Sequence, residues 1–330
     1  MLANDFPALD FDLGETADML RDSVRSFAAD EIAPRAEEID ESNEFPADLW
    51  KKMGDLGVLG ITADEAYGGA GMGYVEHVVA MEEISRASAS VGLSYGAHSQ
   101  LAVNQIQLNG TGDQKRRYLP KLISGDNVGA LAMSEPGAGS DVLGMKLRAD
   151  RKGDRYILNG TKMWITNGAW ADSYIIFAKV DGALFSCFIV DRDIEGVESA
   201  PEEHKLGLRA SSTTQIILED AHVPVENLLG EVGKGHHIAF HTLNMGRFKL
   251  GSGTTGGMKH VLGIALAYAN ERKQFQTPII EFGAMRAKIA EMTMLSYVSE
   301  SMCYRIGGCM EALVEEVPKD DPNREDKVRG

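Results

Sequence analysis

Ala132-Met133-Ser134-Glu135-Pro136-Gly137-Ala138-Gly139-Ser140-Asp141, with Gly144 close behind, stands where the chain changes its hydrophobic period. Gly137 and Gly139 let the backbone approach a bound group closely, and Ser134 and Ser140 offer hydroxyls to phosphate or ring carbonyl oxygens. The same composition also suits a tight connecting loop between a helical segment and a β-rich one. The flanks on either side set the architecture.

Upstream, to about Asp126, apolar residues recur at helical spacing: Leu20, Val24, Phe27 and Ala28, then Leu49, Met53 and Leu56. Pro34 and Pro46 punctuate the pattern, and Gly68-Gly69-Ala70-Gly71 marks a loop. A further helix is predicted over 74–86, followed by a small-residue stretch at 87–96. Asn109-Gly110 ends one helix and Gly112-Asp113 begins the next. Downstream, Tyr156-Ile157-Leu158, Asn159-Gly160 and Thr161-Lys162-Met163-Trp164-Ile165 predict a hairpin turning at the favoured Asn-Gly dipeptide. Apolar β-rich runs at 174–178, 185–190 and 213–218 complete a compact β domain or barrel of about a hundred residues. Helical spacing returns at Gly235 and continues through Ile238, Leu243, 261–269 and 289–310, and residues 317–323 read as a polar loop with two prolines. The predicted organisation is α+β: an N-terminal helical domain at 1–126, a middle β domain at 127–231 and a C-terminal helical bundle at 232–330.

Bulk properties narrow the function classes. A formal charge of −16 argues against nucleic acid, whose phosphates would be repelled. An anionic chain that binds an anionic ligand must supply arginines and backbone N–H groups locally. The three cysteines, Cys187, Cys303 and Cys309, form no CxxC and read as thiols in a reducing compartment. No apolar run approaches a membrane span. The acidic opening, with Asp5, Asp10, Asp12 and Glu15, predicts neither a signal peptide nor an Arg-rich transit segment. A cytoplasmic protein and a mature mitochondrial-matrix protein are both expected from this. No G-x-G-x-x-G opens a helix after a strand, so a nicotinamide-binding fold has no support. His237 and His241 share a helix face, but no third ligand accompanies them and no metal is expected.

The literal string Met133-Ser134-Glu135-Pro136-Gly137-Ala138-Gly139-Ser140-Asp141 closely resembles the signature of the acyl-CoA dehydrogenase family. Lys162-Met163-Trp164-Ile165-Thr166-Asn167-Gly168 and Glu271-Arg272-Lys273-Gln274-Phe275 resemble two further family strings, in order. The resemblance covers nearly all of the chain. It implies an FAD enzyme that oxidises a short branched or medium acyl-CoA thioester to 2-enoyl-CoA and passes electrons to an electron-transfer flavoprotein. It also implies a homo-oligomer, a tetramer in the family. Leu131, Met133, Ser134, Gly139 and Ser140 are implied flavin contacts, with Ser140 also close to the CoA ester. Trp164, Ile165 and Thr166 would cover the flavin from the β domain. Arg272 would reach the flavin pyrophosphate of a neighbouring subunit, with Phe275 beside it. Two other readings accompany this one: a non-catalytic scaffold for acyl-CoA or a partner, and an acyl-CoA oxidase.

Within the family, the front of the chain resembles the isovaleryl branch, through Gly92-Leu93-Ser94-Tyr95-Gly96-Ala97-His98-Ser99 and Asn104-Gln105. That likeness implies Leu93 and Ala97 in the acyl pocket, His237, Asn244 and Arg247 with the substrate, and His98 as a packing or hydrogen-bonding residue. The back, from 224–236 through Asn244-Met245-Gly246-Arg247-Phe248, resembles the very-long-chain branch. The chemistry needs a carboxylate to take the α-proton. The isovaleryl branch carries that Glu directly before the arginine corresponding to Arg247, and Gly246 stands there. Other branches carry it in a segment that would follow Gly330, where two more helices of the bundle are also expected. Glu135 reads as structural, and Glu271 and Glu281 as solvated. The expectation is therefore a flavin-binding body without its base, with apolar helix faces exposed at 261–269 and 289–302.

Overall fold

A computed structural model describes residues 11–317; the predicted polar loop beyond Val317, and Asp5 and Asp10, lie outside them. The helices before the first strand are α1 (Glu15–Phe27), α2 (Ala36–Ser42), α3 (Asp48–Asp55), α4 (Tyr74–Ala87), α5 (Ala89–His98), α6 (Asn104–Asn109) and α7 (Gly112–Ile123). Strands β1 (Gly129–Ala132), β2 (Arg148–Lys152), β3 (Arg155–Thr166), β4 (Ser173–Val180), β5 (Leu184–Asp191), β6 (Val197–Ser199), β7 (Thr213–Pro224) and β8 (Leu228–Leu229) follow. Two long helices close the described chain, α8 (Gly235–Glu271) and α9 (Gly283–Glu315). No helix among the described residues is long and apolar enough to cross a membrane. The chain divides into two compact units, and the division falls inside α2, α5 and α8.

The first unit is helical and comprises the described residues up to Glu38, Gly73–Leu93 and Phe248–Glu316. In it α4 packs against α1 and α9. Because α4 is buried nearly all round, its charged residues must find partners inside. Glu83 takes Arg25 at 2.8 Å, and Lys259 of α8 bridges Glu82 and Glu300. The expected apolar faces are exposed here: Val261 and Ile264 on α8, and Met294, Leu295, Val298 and Met302 on α9.

The second unit holds Ile39–Met72 and Ser94–Arg247. Its sheet runs in the order β6-β7-β3-β2-β4-β5-β8, with β1 parallel to β4. Alternation along β4 sends Tyr174, Ile176 and Ala178 into one apolar core and Ile175 and Phe177 into another. The first core joins residues of β3, β4, β5 and β7; the second lies under α6 and α7. The expectation of a barrel is corrected: the eight strands form an open sheet. Closure needs the two edge strands to pair along their length, and the edges here, β6 and β8, are three and two residues long and unpaired with each other.

The expected hairpin turn at Asn159-Gly160 is also corrected. β3 runs straight through both residues, paired with β7 across a register shift between Leu158 and Gly160. The turn lies earlier, at Gly153-Asp154 between Lys152 and Arg155, with Gly153 at φ +65° as a two-residue turn requires. Gly160 serves close packing instead: a Cβ there would stand 2.9 Å from the Leu147 side chain.

Candidate active site

The loop that follows β1 is fastened on its inner side. Glu135 and Ala138 exchange backbone hydrogen bonds across a tight turn, at 3.0 and 3.1 Å. The Glu135 carboxylate accepts the N–H groups of Lys146 (2.6 Å) and Leu147 (3.0 Å), drawing the two ends of the segment together. The Lys162 ammonium, fully buried on β3, donates to the Met133 carbonyl at 3.1 Å and to Glu135 at 2.9 Å. Burial pulls the Lys162 pKa down to about 8 against the opposing pull of Glu135. Burial alone would raise Glu135, but Lys162 and the two backbone N–H groups outweigh it and hold the carboxyl below its ordinary range. Glu135 is thus structural, as expected, and Asp141 is spent on the Gly144 N–H at 3.2 Å.

With Glu135 turned inward, the outer side of the loop is open, and Asp141 is exposed on it. Gly137, Gly139 and Ser140 are exposed, Leu131 and Ser134 half-buried, and Met133 buried. A Cβ on Gly137 or Gly139 would meet nothing within 4 Å, so there is room for a group laid against the backbone.

β3 brings the second string beside this loop. The Met163 N–H donates to the Ser134 carbonyl at 2.9 Å. Pairing with β7 slips between Lys162 and Ile165, a β-bulge that includes Met163 and Trp164. Trp164 adopts φ +58°, costly for a bulky side chain, and is 57% exposed. The bulge therefore turns outward a ring that an ordinary apolar strand would pack into a core. Ile165 is buried and Thr166 half-buried. Asn167, also left-handed at φ +64°, donates to the Ser94 carbonyl at 2.9 Å, while its buried Oδ1 has no partner among the described residues. Beneath β1, His98 faces the Leu122 carbonyl through Nε2 and accepts the Gly129 N–H at Nδ1, both at 2.9 Å. Burial drives its pKa down to about 4. It is a neutral structural residue, as its sequence context implied.

Apart from Ser140 in the loop, the residues expected at a substrate lie on α5 and the start of α8. Ala97 is buried; His237, Asn244 and Arg247 are exposed, and the Arg247 guanidinium donates to Asn244 at 2.8 Å. Gly246 is half-buried, and a Cβ on it would stand 3.4 Å from Leu101, one helical step beyond Ala97. Leu93, half-buried, and the third string belong to the helical unit. There Lys273-Gln274 and Thr277-Pro278 pair as a hairpin whose turn, Phe275-Gln276, has φ of +50° and +61°. This doubly left-handed geometry normally calls for Asn-Gly. It leaves Phe275 91% exposed at the tip, and Arg272 is exposed at its base.

The structure thus joins 131–140 with 162–167 and places Leu101 against 246. Sequence reasoning missed the fastening role of Lys162, for which the available signal was a lysine leading into the apolar run Met163-Trp164-Ile165 of a predicted strand. A cleft of about 590 Å³ near Arg155, Glu198, Asp220 and His222 contains none of these residues. Its size does not outweigh the chemistry gathered at the loop. No group of three or more His, Cys, Asp or Glu side chains among the described residues could hold a metal.

Comparison with known proteins follows the same lines. The sequence patterns of the acyl-CoA dehydrogenase N-terminal, middle and C-terminal domains match residues 14–126, 130–221 and 233–320. Mitochondrial isovaleryl-CoA dehydrogenase of Solanum tuberosum is 48% identical over 298 residues, covering 88% of this chain and 72% of the relative. The Pongo abelii protein of the same name is 49% identical over 288 residues, covering 85% and 68%. Among solved structures, an acyl-CoA dehydrogenase complexed with FAD from Bacillus anthracis superposes with a TM-score of 0.93 at 42% identity. That match covers 96% of this chain and 55% of the other, so the chain spans about half of that protein.

Proposed function

The chain belongs to the acyl-CoA dehydrogenase family, and we propose that it binds FAD and a short branched acyl-CoA for α,β-dehydrogenation to the 2-enoyl thioester. The observation that carries the reading is the Met163–Ser134 hydrogen bond: it seats an exposed, left-handed Trp164 beside an open glycine-serine loop. An apolar ring face and a row of hydroxyl and backbone groups are what a flat, polar-edged flavin ring requires. The loop fits such a group because its outer side has room and Glu135 is already satisfied by Lys162 and two backbone N–H groups.

When bound, FAD supplies the hydride acceptor. Trp164, Ile165 and Thr166 then form one wall, and Leu131, Met133, Ser134, Gly139 and Ser140 bind the ring edge, with Ser140 shared with the thioester. Ala97 bounds the acyl chain, and the named activity of the plant and ape relatives supports a branched substrate. His237, Asn244 and Arg247 lie on the substrate side, the Asn244–Arg247 bond holding the guanidinium in place. Arg272 and Phe275 face a second subunit of a homo-oligomer, and an electron-transfer flavoprotein is the electron acceptor. The α-proton needs a carboxylate, and Gly246 cannot provide it. Gly246 in that place is therefore expected to suppress turnover by residues 1–330.

The test is titration of the purified protein with FAD, followed by flavin fluorescence and the visible absorption spectrum. Saturable binding near one flavin per chain, lost in Trp164→Ala and weakened in Ser134→Ala, supports the assignment. No binding by a folded wild-type protein refutes it.

A further inference from the structure

The Lys162 ammonium has three protons and three partners: the Met133 carbonyl at 3.1 Å, Glu135 at 2.9 Å and Met145 Sδ at 3.5 Å. All three belong to the segment that leaves β1 and returns to β2, while Lys162 itself stands on β3. Glu135 adds two backbone N–H groups from the returning end, Lys146 and Leu147. Next in sequence to Lys162, Met163 binds the Ser134 carbonyl, and Trp164 follows in the bulge. One buried pair thus sits at the junction of the two strings assigned to the flavin.

Stability alone does not account for this arrangement. A wholly buried ammonium is expensive, and well-packed apolar side chains would hold the strands together at least as well. What apolar packing cannot do is fix a carbonyl at hydrogen-bond distance. Lys162 holds Met133 C=O and Met163 N–H holds Ser134 C=O, so consecutive carbonyls are bound from β3. The outward-facing groups of the loop are oriented as a consequence. A slip of one residue here would change which of them stand beside Trp164.

We propose that Lys162 and Glu135 are positioning residues that set the register of the Met133–Ser140 loop against Trp164, and so determine how tightly and in what orientation flavin is held. The proposal rests on the FAD reading above. Neither residue touches the ligand; both act through the backbone of those that do.

The experiment compares wild type with Lys162→Met/Glu135→Gln, in which no charge is left unpaired, and with Glu135→Gln alone. Far-UV circular dichroism and urea midpoints report the fold. FAD titration and the visible circular dichroism of the bound flavin report its affinity and setting, which general structural loosening would not move selectively. Amide exchange at Met163, Lys146 and Leu147 reports the register. The expected result is a folded double variant with at least tenfold weaker FAD binding, an altered visible spectrum and faster exchange at Met163. Glu135→Gln should move the same readouts in the same direction by a smaller factor. The proposal is overturned if either folded variant binds FAD within twofold of wild type with an unchanged visible spectrum, even where its urea midpoint falls. A folded wild type that binds no FAD overturns the functional reading itself, and the pair's role with it.

Discussion

Acidification should loosen the protein at an identifiable point, His98. The ring is buried between α7 and β1 and must be neutral to accept the Gly129 N–H while its other nitrogen faces the Leu122 carbonyl. Burial lowers its pKa from 6.5 to about 4. Because the folded-state value is the lower one, the unfolded chain takes up the proton first. The stability contributed by the neutral ring is complete above about pH 6.5 and is lost as pH falls toward 4. At 1.36 kcal/mol per unit, the shift corresponds to about 3 kcal/mol, a large share of a typical domain's stability. Other groups titrate in the same range, so the assay needs a control that removes only this one. His98→Gln keeps a donor and an acceptor but does not titrate. Urea unfolding of both proteins near pH 7 and near pH 4.5 can be followed through Trp50, whose ring lies 5.2 Å from His98. Wild type should lose about 2–3 kcal/mol more than the variant between the two conditions. Equal losses would refute the neutral-ring account. Since Gly129 begins the strand that leads into the loop, flavin should be released over the same pH interval.

Other outcomes follow from single positions. Trp164→Gly relieves a left-handed backbone that Trp adopts at a cost, and the ring is more than half exposed. The variant should be as stable as wild type or more so by about 1 kcal/mol, yet lose FAD, as thermal melts and flavin titration would show. Phe275→Ala removes an almost fully exposed ring and should change stability by less than about 0.5 kcal/mol. It should nonetheless weaken flavin retention in the oligomer, measured by dialysis and light scattering. Gly246→Glu should stabilise α8 by about 0.5 kcal/mol through helix propensity, because a Cβ there makes only an ordinary contact with Leu101. Gly54→Ala should be strongly destabilising, by about 2 kcal/mol or more in a urea melt, since its Cβ would stand 2.1 Å from the Ser124 carbonyl oxygen.

How much of this could be read from the chain depends on the range of the interaction. The switch from helical to strand period and back is local, and so are the ends at Asn109 and Gly235, where helices stop and start as the sequence indicates. The glycine-serine loop was visible for the same reason. The Asn159-Gly160 turn failed because pairing with β7 on one side and Leu147 packing on the other override a dipeptide preference. The barrel failed because closure depends on the length of edge strands, which periodicity does not report. Trp164 was found through resemblance alone; that it is turned outward depends on a bulge created by a register slip against a strand some fifty residues away. The Lys162–Glu135 pair spans 27 residues, and only folding shows that both charges are inside.

On the proposed function, these residues hold a flavin and a thioester while position 246 offers no carboxylate to the α-proton. The most direct test is the anaerobic visible spectrum of FAD-loaded wild type and Gly246→Glu before and after adding isovaleryl-CoA. The expected result is a wild-type flavin band that shifts on ligand binding but does not bleach, and a Gly246→Glu band that bleaches. Bleaching of the wild-type band would contradict it, because a base would then be present elsewhere in the chain. A Gly246→Glu protein that binds both ligands and stays oxidised would show that the base does not belong at position 246.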